Sequence, residues 1–207
     1  WSKIIDGLAE EHTVYILDLP GCGLSFKQNI TYTNFYYVEL LREFIRKEIK
    51  SPPIIMATGL SASFAVMACN YDQELIRKMI LINPTDLQTL KKIPNHKRRI
   101  LKGLLEFPIL GTLIYHAMVS KRQVTSTFCV KYYENPANID PDDLKVYYES
   151  AHHYASAGKY LLASTLGRFV NLNIIPALKA IDKDIVIVSG SEEPCGEHTA
   201  KEYQSVN

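Results

Sequence analysis

The architecture of this chain turns on one passage, Ile54-Ile55-Met56-Ala57-Thr58-Gly59-Leu60-Ser61-Ala62-Ser63-Phe64-Ala65-Val66-Met67-Ala68. An apolar run gives way to a glycine and a serine among small residues and then resumes with helical character, which reads as a strand, a tight turn and a helix with Ser61 at the apex. An elbow of this kind holds its serine in strained backbone geometry with the hydroxyl exposed. A backbone N–H of the following helix can then help to bind an oxyanion. Ser61 is therefore the candidate nucleophile. Gly59, Ala62 and Ser63 are small where strand and helix approach closely. The usual pattern is Gly-x-Ser-x-Gly, and Ser63 stands in the last position, so one extra hydroxymethyl group has to fit at the turn. A plainer reading makes Ser61 the N-cap of a buried helix.

Working outward, residues 1–9 space Trp1, Ile4, Ile5 and Leu8 as one helix face, and Thr13-Val14-Tyr15-Ile16-Leu17-Asp18 predicts a short strand. A glycine-rich loop follows at residues 19–25. Residues 33–50 then predict an amphipathic helix that Pro52-Pro53 stops before the Ile55 strand. Beyond the elbow, Lys78-Met79-Ile80-Leu81-Ile82-Asn83-Pro84 and Asp184-Ile185-Val186-Ile187-Val188-Ser189-Gly190 are further apolar strands, of the kind buried on both faces of a parallel sheet. Alternating strands and helices predict an α/β fold with a doubly wound, mostly parallel sheet, and ligands beyond the carboxyl ends of its strands. Ser61, Asp86 and the loop at residues 20–25 all fall at such ends. The alternation lapses between residues 86 and 171, where the pattern is helical throughout. The expected division is a core of residues 1–85 and 172–207 with a helical cap inserted at 86–171.

Composition narrows the possible functions. With 207 residues, 47% of them hydrophobic, the chain can bury one sizeable core. Twenty-three Lys and Arg against 22 Asp and Glu leave a net charge of +1, which offers no general attraction for nucleic acid. Cys22, Cys69, Cys129 and Cys195 are widely spaced, without Cys-x-x-Cys or a histidine spacing suited to zinc. They read as free thiols of a reducing, cytoplasmic compartment. No apolar run approaches a membrane span of about 18 residues. Neither a metal nor an organic cofactor is implied.

In order along the chain, the helix led by Trp1, the segment Leu17-Asp18-Leu19-Pro20-Gly21-Cys22-Gly23-Leu24-Ser25, the elbow at Ser61, Leu81-Ile82-Asn83-Pro84, the helical insertion and Val186-Ile187-Val188-Ser189-Gly190-Ser191-Glu192-Glu193 resemble an α/β-hydrolase. The resemblance implies a lidded, esterase- or lipase-like serine hydrolase whose nucleophile, acid and histidine follow in that order. It also implies a strand and a His-Gly-type oxyanion loop ahead of Trp1, with the strand lying between the Tyr15 and Ile55 strands. The catalytic histidine would come about 25–30 residues past the acid. On this reading the 207 residues are a fragment, inactive as it stands.

The resemblance places the acid at Glu193, three residues after Gly190, where the family carries an aspartate; an exposed loop glutamate is the plain alternative. Asp86 is the rival acid, with helix N-capping as its ordinary role. Asp18 reads as a structural partner of the glycine-rich turn, and the backbone N–H of Ala62 would join the oxyanion hole. None of the six histidines fits the catalytic position. His152-His153 reads as a surface feature of the cap, and His198 lies too close to Glu193. The apolar, tyrosine-rich insertion suits a small-molecule substrate with an apolar acyl or alkyl group, or packing of the cap on itself. Its order of His96-Lys97-Arg98-Arg99 before Ile100, Leu101, Leu104 and Leu105 is also that of a segment touching a membrane surface. The expected activity is hydrolysis of a small or medium, apolar carboxylic ester through an acyl-enzyme on Ser61. The competing readings are a non-catalytic ligand-binding protein of the same fold, or cleavage of an amide, thioester or carbon–carbon bond.

Overall fold

A computed structural model describes residues 1–193 and 195–206, apart from the side chains of Ser2 and Lys131. The first helix, α1 (Ser2–Ala9), and α2 (Asn34–Phe44) flank a long stretch of turns and irregular backbone. Thr33 caps α2, its side-chain oxygen accepting a hydrogen bond from the Tyr36 N–H at 3.2 Å. The helix continues through one π-helical turn, Ile45–Ile49, and ends where Lys50 turns left-handed at φ +61°.

Then β1 (Ile54–Thr58), α3 (Ser61–Tyr71) and β2 (Lys78–Ile82) form a strand–helix–strand unit. Among the described residues six α-helices follow β2 before residue 171. They are α4 (Leu87–Leu90), α5 (His96–Glu106), α6 (Pro108–Met118), α7 (Lys121–Thr127), α8 (Pro141–His152) and α9 (Lys159–Leu166). After α10 (Ile175–Ala180) come β3 (Ile185–Val188) and α11 (Gly196–Gln204).

The sheet is parallel in the order β1-β2-β3, with Ala57 beside Leu81 and Leu81 beside Ile187. Because side chains alternate along a strand, this register gathers Ile55, Ala57, Met79, Leu81, Ile185 and Ile187 on one face. That face joins the core formed by α3, α2 and α10. Helix α3 is buried without interruption from Ala62 to Cys69, and its small residues allow the close approach. The opposite face is less covered than expected, since Val186 and Val188 are exposed. The sheet is therefore buried on one face and only partly on the other.

The strand expected at residues 13–18 does not form. The segment has no regular secondary structure, with Val14, Tyr15, Ile16 and Leu17 exposed. A strand needs a neighbour for its backbone N–H and C=O groups. Among the described residues no strand pairs with this segment, and β1 pairs only with β2.

Candidate active site

The turn after β1 is fixed through its backbone. Gly59 takes φ +54°, a conformation that glycine adopts at little cost. Its N–H donates to the Ile82 carbonyl at 3.1 Å, and its carbonyl accepts from Thr85 N–H at 3.2 Å, tying the turn to the end of β2. Leu60 is already right-handed and Ser61 opens α3, so the left-handed residue of this turn is Gly59 and not the serine. The strain expected at Ser61 is absent because Gly59 takes the reversal two residues earlier.

The Ser61 hydroxyl is half-buried and folds back on β1. It donates to the Thr58 carbonyl at 2.8 Å and accepts from the Thr58 N–H at 3.2 Å. The Ala62 N–H, the expected oxyanion donor, points to the Gly59 carbonyl at 3.3 Å. Both groups would exchange these partners to act on a substrate.

The extra hydroxymethyl of Ser63 finds a place. It is fully buried, donates to the Leu60 carbonyl at 2.8 Å and accepts from the Asn34 side-chain amide at 3.0 Å. Asn34 thus anchors the start of α3 to the start of α2, a role that nothing local in the sequence signals.

On the other side of β2, Glu193 stands in the turn between β3 and α11. Its carboxylate accepts from the Asn83 amide at 3.4 Å, while the Asn83 side-chain oxygen takes the Gly190 N–H at 3.1 Å. Asn83 has φ +42°, in the left-handed region that asparagine tolerates better than most residues. With Pro84, Ser189, Gly196 and Thr199, Asn83 and Glu193 line a cavity of about 40 Å³. Asp86 is committed elsewhere, as its carboxylate caps α4 by accepting from Thr89 N–H at 2.7 Å. The same segment is held by Glu202, which accepts from Leu87 N–H at 2.9 Å, and by Tyr203, whose hydroxyl donates to the Thr85 carbonyl at 2.9 Å. Burial pushes the Tyr203 phenol above its ordinary value.

Asp18 has the structural role expected of it, accepting from Leu24 N–H at 2.9 Å within the glycine-rich turn. That turn borders a second, much larger cleft of about 1050 Å³, lined also by Tyr115, Phe128, Tyr132, Tyr133 and Tyr147 from the region between β2 and β3. Cys22 lies on its wall. Ser61 lines neither space.

Ser61 and Glu193 thus occupy the same carboxyl edge, on turns that follow the strands either side of β2. Among the described residues no histidine hydrogen-bonds to either. His152 instead bonds the Tyr148 carbonyl at 2.8 Å and stacks on His116 of α6 with ring centroids 5.5 Å apart. No three His, Cys, Asp or Glu side chains among the described residues converge as a metal site.

The sequence profile described as alpha/beta hydrolase fold matches residues 1–203. The chain belongs to the α/β-hydrolase family. Solved structures agree on the fold. A serine hydrolase involved in carbazole degradation, CarC, superposes with a TM-score of 0.75 at 16% identity, over 100% of this chain and 71% of its own. The meta-cleavage product hydrolase CumD of Pseudomonas fluorescens gives 0.73 at 12%, over 100% and 72%. A structure from a study of carboxylesterases of the thaumarchaeon Nitrososphaera gargenis gives 0.65 at 15%, over 99% and 72%. No curated protein matches the sequence.

Proposed function

We propose that this α/β-hydrolase cleaves a small or medium, apolar carboxylic ester through an acyl-enzyme on Ser61. One observation carries the reading: Ser61 at the start of α3 and the Asn83-anchored Glu193 share the carboxyl edge of the sheet, one turn on each side of β2. Adjacent strands are about 4.8 Å apart, so roughly 10 Å separates the two outer strands. Side chains reaching inward across that interval leave room for an imidazole with one nitrogen toward each.

In this reaction Ser61 Oγ leaves the Thr58 carbonyl, gives its proton to the imidazole and attacks the ester carbonyl. The Ala62 N–H turns to the oxyanion, the alcohol departs with the proton, and water releases the acid by the same steps. Glu193 orients the imidazole and stabilises its cation. Among the described residues no histidine hydrogen-bonds to Ser61 or Glu193, and the reading requires such a base. The aromatic cleft beneath the inserted helices would take the apolar part of the substrate, with those helices as its cap.

A fluorophosphonate should label the full protein, and Ser61→Ala should abolish labelling and lower ester turnover by several orders of magnitude. Unchanged labelling in the variant would remove Ser61 from the chemistry. A second reading, a ligand-binding protein without catalysis, draws on the Ser61 hydroxyl and Ala62 N–H being spent on backbone carbonyls. Ester turnover that disappears with Ser61→Ala would exclude it. Turnover of an amide, thioester or carbon–carbon substrate in place of esters would keep Ser61 and change the bond, an outcome that solved neighbours named as deformylase and meta-cleavage product hydrolase make worth testing.

A further inference from the structure

Helices α5 and α6 meet at 93° around Phe107 and Pro108 and turn a row of large apolar side chains outward. Ile100 and Leu104 stand one turn apart on α5, Phe107 is at the corner, and Ile109, Leu110 and Leu113 continue the surface along α6, all of them exposed. Ile109 is 73% and Leu113 64% exposed. Isolated apolar residues at a surface are ordinary, but six in succession around one corner are not. The inner sides of the same helices are tied down. Arg98 donates to the Leu166 carbonyl at 3.1 Å, Lys159 of α9 donates to Thr112 at 3.1 Å, and Leu105 and Tyr115 are buried. The corner is thus a fixed projection with one dry side and one bare side.

Charge identifies what the bare side meets. Residues 91–113 contain Lys91, Lys92, Lys97, Arg98, Arg99 and Lys102 against the single carboxylate of Glu106. That is a net +5 in a chain of net +1, so the remaining residues carry −4. Lys102 is spent on Glu106 at 2.6 Å. Lys91, Lys92, Lys97 and Arg99 are exposed and join no carboxylate among the described residues. Lys97 lies one turn before Ile100 on the same face of α5.

We infer that the α5–α6 corner docks on the surface of an anionic lipid bilayer, its apolar side chains entering the boundary between headgroups and acyl chains and its basic residues meeting the headgroups. Each helix has 11 residues, and the bend prevents the pair from acting as one straight rod. A straight span needs about 20 consecutive apolar residues, which neither helix has alone, so the docking inferred here is interfacial. This docking is independent of the chemistry assigned to Ser61.

Flotation of the full chain with phosphatidylcholine vesicles, with and without phosphatidylglycerol, tests the inference. The chain should float with the anionic vesicles, stay behind with the neutral ones, and detach as salt is raised. Lys97→Gln with Arg99→Gln should weaken binding by about fivefold per charge removed. Ile109→Asp with Leu113→Asp should weaken it by at least about tenfold, because two buried apolar contacts are replaced by repelling carboxylates. Ser61→Ala should float like the parent. Failure to float on anionic vesicles, or flotation indifferent to both double variants, would overturn the inference. So would a dimer in sedimentation equilibrium that Ile109→Asp with Leu113→Asp splits while the parent does not float, since the surface would then serve a second copy of the chain.

Discussion

Helices α3 and α6 have the same length, 11 residues each, and similarly apolar sequences, yet one is sealed in the core and the other faces outward. On α3 every residue from Ala62 to Cys69 is buried, whereas on α6 only Gly111 and Tyr115 are. Side-chain size and neighbours account for the difference. Ala62, Ser63, Ala65 and Ala68 let α3 settle closely against β1, β2, α2 and α10. Ile109, Leu110 and Leu113 stay exposed although α5 and α9 pack on α6. An apolar helix is therefore not evidence of a core position until something is found to cover it.

The contrast breaks first under a cavity mutation. Leu81 is fully buried at the centre of β2, so Leu81→Ala should cost about 2–5 kcal/mol, whereas Leu113→Ala on the bare side of α6 should stay within about 0.5 kcal/mol. Urea midpoints of the two variants would measure this, and equal losses would mean that α6 is covered in solution. A smaller effect tests the corner. A Cβ at Gly111 would lie 1.9 Å from the Leu105 carbonyl oxygen, so Gly111→Ala must push α5 and α6 apart and should cost about 1–3 kcal/mol. Gly103 on α5 has nothing within 4 Å of such an atom, and Gly103→Ala should instead stabilise by up to about 1 kcal/mol. Thermal melts showing both changes with one sign would refute this picture of the corner.

The parts of the fold that were legible in the sequence are those specified locally. The Ile55, Met79 and Ile185 strands announce themselves by continuous apolar runs, and the cap of α4 by Asp86. Residues 13–18 have the same β-rich composition and form no strand, because pairing is a property of the neighbour and not of the segment. Site residues divide the same way. Ser61 could be proposed from its turn and the structural Asp18 from the glycine-rich loop, whereas Glu193 was proposed from the family resemblance. Asn83 holds Glu193 across 110 residues, and Asn34 holds Ser63 across 29, distances over which no spacing rule operates. The stacking of His152 on His116 was hidden for the same reason, since the eye goes to the adjacent His153.

The smallest effect probes a polar link between two of the helices that lie between β2 and β3. The Tyr115 hydroxyl donates to the Ala151 carbonyl at 2.6 Å, joining α6 to the end of α8, and Tyr115→Phe should cost about 1 kcal/mol at neutral pH. Burial pushes this phenol from 10.0 up to about 12. The folded state therefore holds the proton more tightly than the unfolded one. The stability linked to it is fully present below the unfolded value near 10 and is lost as pH rises through about 12. Phenylalanine has no proton to lose, so the parent should fall towards the variant over that interval and then below it. Tyr37 and Tyr203 are pushed up by burial in the same direction, and their alkaline losses are common to both proteins and cancel in the comparison. Denaturation curves of parent and variant recorded across the alkaline range would show the gap closing; a gap that stays constant would place the Tyr115 hydroxyl in water and separate α6 from α8.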